Sequence, residues 1–94
     1  MARIIWSKKG LNDFYEHLLF IEKTSLQNAK QVAKIIMGKI DMLENFPEMG
    51  RIVPEFAQKE LRELIVYQYR IVYRIKGIDT VEVVSIYHSK QLLS

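Results

Sequence analysis

The chain of 94 residues contains no cysteine. Disulfide bracing and thiolate metal sites are therefore excluded, and a reducing compartment such as the cytoplasm suits it. No apolar run approaches the ~20 residues needed to cross a bilayer, so no membrane partner is expected. The opening "MARIIWSKKG" begins a strand-like run at once; it has no apolar leader core, and no secretory signal is expected. No spacing of His, Asp or Glu suits a metal, and no cofactor is expected. Excess positive charge is small, +3, which is compatible with a polyanionic partner without requiring one.

What is present is a globular balance, 49% apolar and 27% charged, at a length that makes one domain over residues 1–94 with a single small core. "ARIIW" reads as a strand over 2–6, and Ser7 is a good cap for a helix over 8–22, where Leu11, Phe14, Tyr15, Leu18 and Ile21 recur at helical spacing. Thr24 or Ser25 can cap a second helix, with Ala29, Val32, Ala33, Ile36, Ile40 and Leu43 along one face. That helix must end before Pro47, because a residue preceding proline is pushed out of the α region. Pro47, Gly50 and Pro54 mark an irregular connection. "LRELIV", "YRIVYRI" and "TVEVVSIYH" follow too closely for helical crossovers, so they form an antiparallel meander. The fold class is α+β, in the order β-α-α-β-β-β, with a helical hairpin on one face of a mainly antiparallel sheet.

Register decides which side chains meet. With a two-residue loop, Gly77-Ile78, the pairing sets Glu82 opposite Tyr73 on the core face, an unpaired buried carboxylate. With a three-residue loop, Gly77-Ile78-Asp79, Lys76 faces Thr80, Arg74 faces Glu82, Val72 faces Val84, and Tyr73 and Ile75 face Val83 and Val81. The second register unites two apolar sets and pairs opposite charges. It predicts that Arg70, Arg74 and His88 share the open face of the sheet, away from the helices.

Taken in order, "IIWS", "LENFPEMGR", "VPEF", "LRELIV", "YRIVYRI" and "VVSIYH" resemble the RelE/ParE superfamily of toxins over essentially the whole chain. The resemblance implies the toxin of a bacterial type II toxin–antitoxin module, of the kind tied to plasmid stabilization, arresting growth in the cytoplasm. It implies a protein partner, the cognate antitoxin, in a hetero-oligomer. Two chemistries occur among such toxins. RelE-like members are mRNA interferases, metal-independent endoribonucleases that act at the ribosome. ParE-like members poison DNA gyrase and have no accepted hydrolytic centre.

In the first reading the resemblance maps a catalytic set onto Glu55, Arg70 and His88. Glu55 would take the 2′-hydroxyl proton, His88 would protonate the leaving oxygen, and Arg70 would clamp the phosphate. Arg62 and Arg74 would add charge at the substrate, and Tyr87 or Tyr69 would replace the aromatic residue that the branch carries where this chain has Ser89. RNA cleavage is the first expectation and gyrase poisoning the alternative, which the long helical hairpin and the ending "HSKQLL" favour. Whether the chain is an enzyme stays open.

Simpler roles stand beside these. Arg74 is also a cross-strand partner for Glu82, Arg62 an edge-strand solubiliser, His17 an exposed helical residue, and Tyr15, Tyr73 and Trp6 core residues. Leu19, Phe20, Ile35 and Met42 are apolar beyond what the two helical stripes need, and form a candidate partner-binding surface.

Overall fold

A computed structural model describes residues 1–89. The chain runs β1 (Arg3–Trp6), α1 (Lys8–Glu22), α2 (Leu26–Asp41), a 3₁₀ turn (Met42–Glu44), β2 (Arg51–Ile52), β3 (Leu61–Val66), β4 (Tyr69–Lys76) and β5 (Thr80–His88). The five strands lie in the order β1-β5-β4-β3-β2. β1 is parallel to β5 and every other pair is antiparallel. The order of elements matches the sequence reading, with one addition: β2 is a two-residue strand inside the stretch expected to be irregular.

Both helices start where the caps predict. Ser7 accepts from the Gly10 N–H at 2.9 Å and Ser25 from the Asn28 N–H at 3.1 Å, each satisfying a donor that the first helical turn leaves without a partner. Ser25, and not Thr24, is the second cap. The α2 stripe packs as expected, with Ala29, Ile36, Ile40 and Leu43 buried. In α1 the stripe is narrower than expected. Phe14 and Ile21 pack on the core, whereas Leu11 and Tyr15 lie exposed on the outer side. Tyr15 is thus not a core residue.

The main core lies between the helices and one face of the sheet, where Ile71, Tyr73, Val81, Val83 and Ile86 meet α2. A smaller apolar cluster, Val53, Leu61 and Val72, sits on the opposite face and is joined by Val84 and Tyr87. It exists because the segment after β2 folds over that face, held by N–H groups of Phe56 and Ala57 donating to the Val53 carbonyl at 3.2 and 2.9 Å. Among the described residues no helix is long and apolar enough to cross a membrane.

The β4–β5 register follows the three-residue loop at first. Lys76 pairs with Thr80, Ile75 with Val81, Arg74 with Glu82 and Tyr73 with Val83. It then slips by one residue. Val72 pairs with Ser85 and not with Val84, and onward Ile71 pairs with Ile86, Arg70 with Tyr87 and Tyr69 with His88. Val84 is therefore the extra residue of a β-bulge, and the far half of β5 exchanges faces relative to unbroken alternation.

Candidate functional site

The bulge has a visible cause in α1. β1 accompanies β5 only as far as Val83, so the outer edge of β5 beyond that point needs other partners for its backbone groups. Ser7, the cap of α1, and a row of residues on the helix supply them. The Ser7 N–H donates to the Val83 carbonyl and its hydroxyl to the Val84 carbonyl, both at 2.9 Å. The Ile86 N–H donates to Asp13 Oδ2 at 3.0 Å, and His17 Nε2 lies 2.9 Å from the Ile86 carbonyl. That carbonyl can only accept, so His17 Nε2 carries the proton. The helix comes this close because Gly10 has no side chain: a Cβ there would sit 2.5 Å from the Val83 carbonyl oxygen. His17 is therefore a structural donor at a sheet edge, not the exposed residue expected from sequence. A spacing of Ser7, Gly10, Asp13 and His17 at three- and four-residue steps was the available signal.

The consequence reaches His88. It pairs with Tyr69, whose ring belongs to the helix-side core. The two rings meet edge to face at 5.5 Å, and His17 approaches the same tyrosine at 5.0 Å. Arg70 and Arg74 are on the opposite face. The expected convergence of His88 with Arg70 is thus corrected: Ile86 is the residue worth burying, and the bulge that turns it inward carries His88 in with it. The same phase change brings Ser85 and Tyr87 to the open face.

Glu55 and Arg70 do meet. The segment after β2 carries Glu55 onto the open face, where its carboxylate takes a bidentate pair from Arg70, Nη1 to Oε2 at 2.7 Å and Nη2 to Oε1 at 2.8 Å. Arg70 Nε donates to Glu63 Oε1 at 2.7 Å, and the other Glu63 oxygen accepts from Arg51 Nε at 2.6 Å. The result is a chain of alternating charge, Arg51–Glu63–Arg70–Glu55, with the Glu63 side chain fully buried in the middle. Hydrogen bonds from Arg70 hold the Glu55 carboxyl down to about 2 from its ordinary 4.5, and the two carboxylates push the Arg70 guanidinium further up. At neutral pH Glu55 is an ionised, doubly bonded carboxylate and a weak base. Glu63 and Arg51 had no place in the sequence reading, and their alternation across β2 and β3 was its one available trace.

Arg62 is not an edge-strand residue, because β3 lies between β4 and β2. It lies on the helix side of the sheet, paired with Tyr73, and its guanidinium donates to the carbonyls of Lys59, Glu48 and Gly50 at 3.0, 3.3 and 3.0 Å. The Tyr73 hydroxyl donates to the Pro47 carbonyl at 2.7 Å and accepts from the Gly50 N–H at 2.9 Å. Together they lash the "PEMG" turn to the sheet. Arg74 also departs from expectation. Glu82 stands opposite it, but its carboxylate pairs with Lys76 at 3.0 Å.

Of the candidate partner surface, Leu19 (57%), Phe20 (71%) and Met42 (43%) are exposed. Ile35 is less accessible, partly buried against the core. Leu11 and Tyr15 extend Leu19 into an exposed apolar row at four-residue steps on α1. Met42 also lines an apolar cleft of about 570 Å³ with Phe46, Pro47 and Met49.

Comparison with known proteins supplies the frame. A solved structure titled "Chromosomal ParDE TA system from P. aeruginosa" aligns with 94% of this chain and 96% of its own, at a TM-score of 0.71 and 18% identity. At that identity the likeness establishes the fold. No curated protein sequence matches. The profile of one family, described as the ParE toxin of the type II toxin–antitoxin system parDE, matches residues 4–93. The chain belongs to the ParE toxin family of type II toxin–antitoxin systems.

Proposed function

We propose that this chain arrests growth as a binding poison of DNA gyrase, without a hydrolytic centre, and that an antitoxin neutralises it. The observation that carries the reading is the opposition of faces. His88, the expected proton donor, lies on the helix side beside Tyr69, while Arg70 and Glu55 lie across the sheet. RNA cleavage needs its acid, base and phosphate clamp around one scissile bond, within hydrogen-bond reach. Glu55, the expected base, is held ionised by the Arg70 fork, and that fork is occupied by carboxylate. Glu55, Arg70 and Glu63 then serve to fasten the loop to the sheet. Membership of the ParE family supports the same reading.

The antitoxin fits the exposed apolar row Leu11, Tyr15 and Leu19 on α1, with Phe20 and the Met42 cleft beside it. An amphipathic helix laid against such a row buries apolar anchors at three- and four-residue spacing. The ending "HSKQLL", which favours the gyrase reading, extends past the described residues.

The test is expression of the chain without a partner, with trapped gyrase–DNA cleavage complexes and mRNA integrity read in the same cells. Trapped complexes, intact messages and undiminished toxicity of His88→Ala are expected. Translation-dependent message cleavage that His88→Ala abolishes would overturn the proposal.

A further inference from the structure

The bulge and the loop after β2 together build a second feature on the open face, one that the charge chain does not use. A cleft of about 330 Å³ lies there, lined by Phe56 and Gln58 from the loop, Arg74 from β4, and Ser85 and Tyr87 from β5. It adjoins the Glu55–Arg70 pair, since Phe56 follows Glu55 and Tyr87 stands opposite Arg70, but its own cation, Arg74, lies four residues along β4 from Arg70, about 13 Å away. Its volume is in the range of small-ligand sites, roughly 300–1,000 Å³.

The chemistry of the lining is specific. Glu82 is taken up by Lys76, so the Arg74 guanidinium has no carboxylate partner among the described residues. The Ser85 hydroxyl, brought to this face by the bulge, likewise makes no hydrogen bond among the described residues. Phe56 is exposed (39%), and Gln58 offers an amide with both donors and an acceptor. Ala57, between them, has φ 51°, a left-handed conformation uncommon without glycine. It turns the loop so that Phe56 and Gln58 both face the cleft. Tyr87 is held by Lys9, whose ammonium lies 4.6 Å from the ring centre, and Lys9 is itself paired with Asp13 at 2.7 Å.

We infer that this cleft binds a nucleoside phosphate: a base stacked on Phe56 and read by Gln58, with the phosphate in the Arg74 fork beside the Ser85 hydroxyl. A planar ring platform, an amide and an uncompensated guanidinium are the groups that recognise base and phosphate together. An acidic peptide would use Arg74 but would leave the Phe56 ring without a stacking partner. The inference does not depend on the gyrase reading, since a binding poison and a nuclease could each carry such a site. The unit is either a free mononucleotide or an unpaired nucleotide in a single strand.

The experiment is an NMR titration of the full-length chain with AMP, CMP, GMP and UMP, with adenosine, with inorganic phosphate, with a short single-stranded oligonucleotide, and with a poly-glutamate peptide. Saturable shifts of the Phe56 ring, Ser85 and Arg74 side-chain signals with a mononucleotide support a free ligand. The same shifts with the oligonucleotide alone support a strand. Arg74→Gln should weaken either by about ten-fold or more, and Phe56→Leu should weaken binding of nucleotide but not of inorganic phosphate. Arg51→Gln, outside the cleft, should bind as the parent does, and unchanged spectral dispersion in each variant checks the fold. Absence of shifts at these residues, equal binding of adenosine and AMP, or stronger response to poly-glutamate than to any nucleotide would overturn the inference.

Discussion

Glu63→Gln tests the central physical claim about the open face, that one buried carboxylate organises it. The Glu63 side chain has no exposed surface, and its oxygens accept from Arg51 Nε at 2.6 Å and Arg70 Nε at 2.7 Å. Glutamine keeps the shape but not the charge, and its NH₂ group must point at one of two donors. One charge-assisted bond is lost and the other weakened, each worth roughly 1.5–3 kcal/mol. Breaking a buried ion pair costs about 3–5 kcal/mol. Two features pull the cost to the lower end of that range. Arg51 is 59% exposed and can rehydrate, while Arg70, only 14% exposed, keeps the Glu55 carboxylate. The expected loss is about 3 kcal/mol, which in a domain of this size lowers Tm by about 12–24 °C. Arg51→Gln removes the exposed partner and should cost about 1 kcal/mol or less. Urea denaturation of the three proteins, with m unchanged, gives both values. A Glu63→Gln loss below about 1 kcal/mol, or an Arg51→Gln loss equal to it, would refute the reasoning.

Two further outcomes follow from the geometry. Gly10→Ala places a methyl group 2.5 Å from the Val83 carbonyl oxygen, so α1 must retreat from the β5 edge; the expected loss is about 1–3 kcal/mol in urea denaturation, with faster amide exchange at Ile86 as the local sign. The Glu55 carboxyl is depressed to about 2 from 4.5, so its contribution is complete above about pH 4.5 and is lost as pH falls through about 2. The stability difference between the parent and Glu55→Gln should therefore shrink steadily across that window, and a difference that does not change with pH would contradict the Arg70 pairing.

Much of the fold was legible because local rules and the global fold agree. The caps at Ser7 and Ser25, the α2 stripe and the three β-rich runs each satisfy their own backbone groups or apolar faces within a few residues. The site was legible only in part. Glu55 is singled out by the resemblance alone, and its pairing with Arg70 follows from a loop that folds over the sheet. Arg62 was read from its strand alone, and the three carbonyls it serves come from other segments. Strict alternation through Val83 and Val84 places His88 on the open face, whereas the bulge at Val84 shifts the phase and turns it to the helix side.

The sequence by itself determined where helices and strands begin, which faces must be apolar and how the last hairpin turns, because those follow from periodicity and from partners a few residues away. Tertiary structure alone decided the face that each residue of β5 beyond Val83 occupies. There the backbone hydrogen-bonds with Ser7, the cap of α1, and with Asp13 and His17 on it, and the one-residue bulge leaves those groups paired and Ile86 buried.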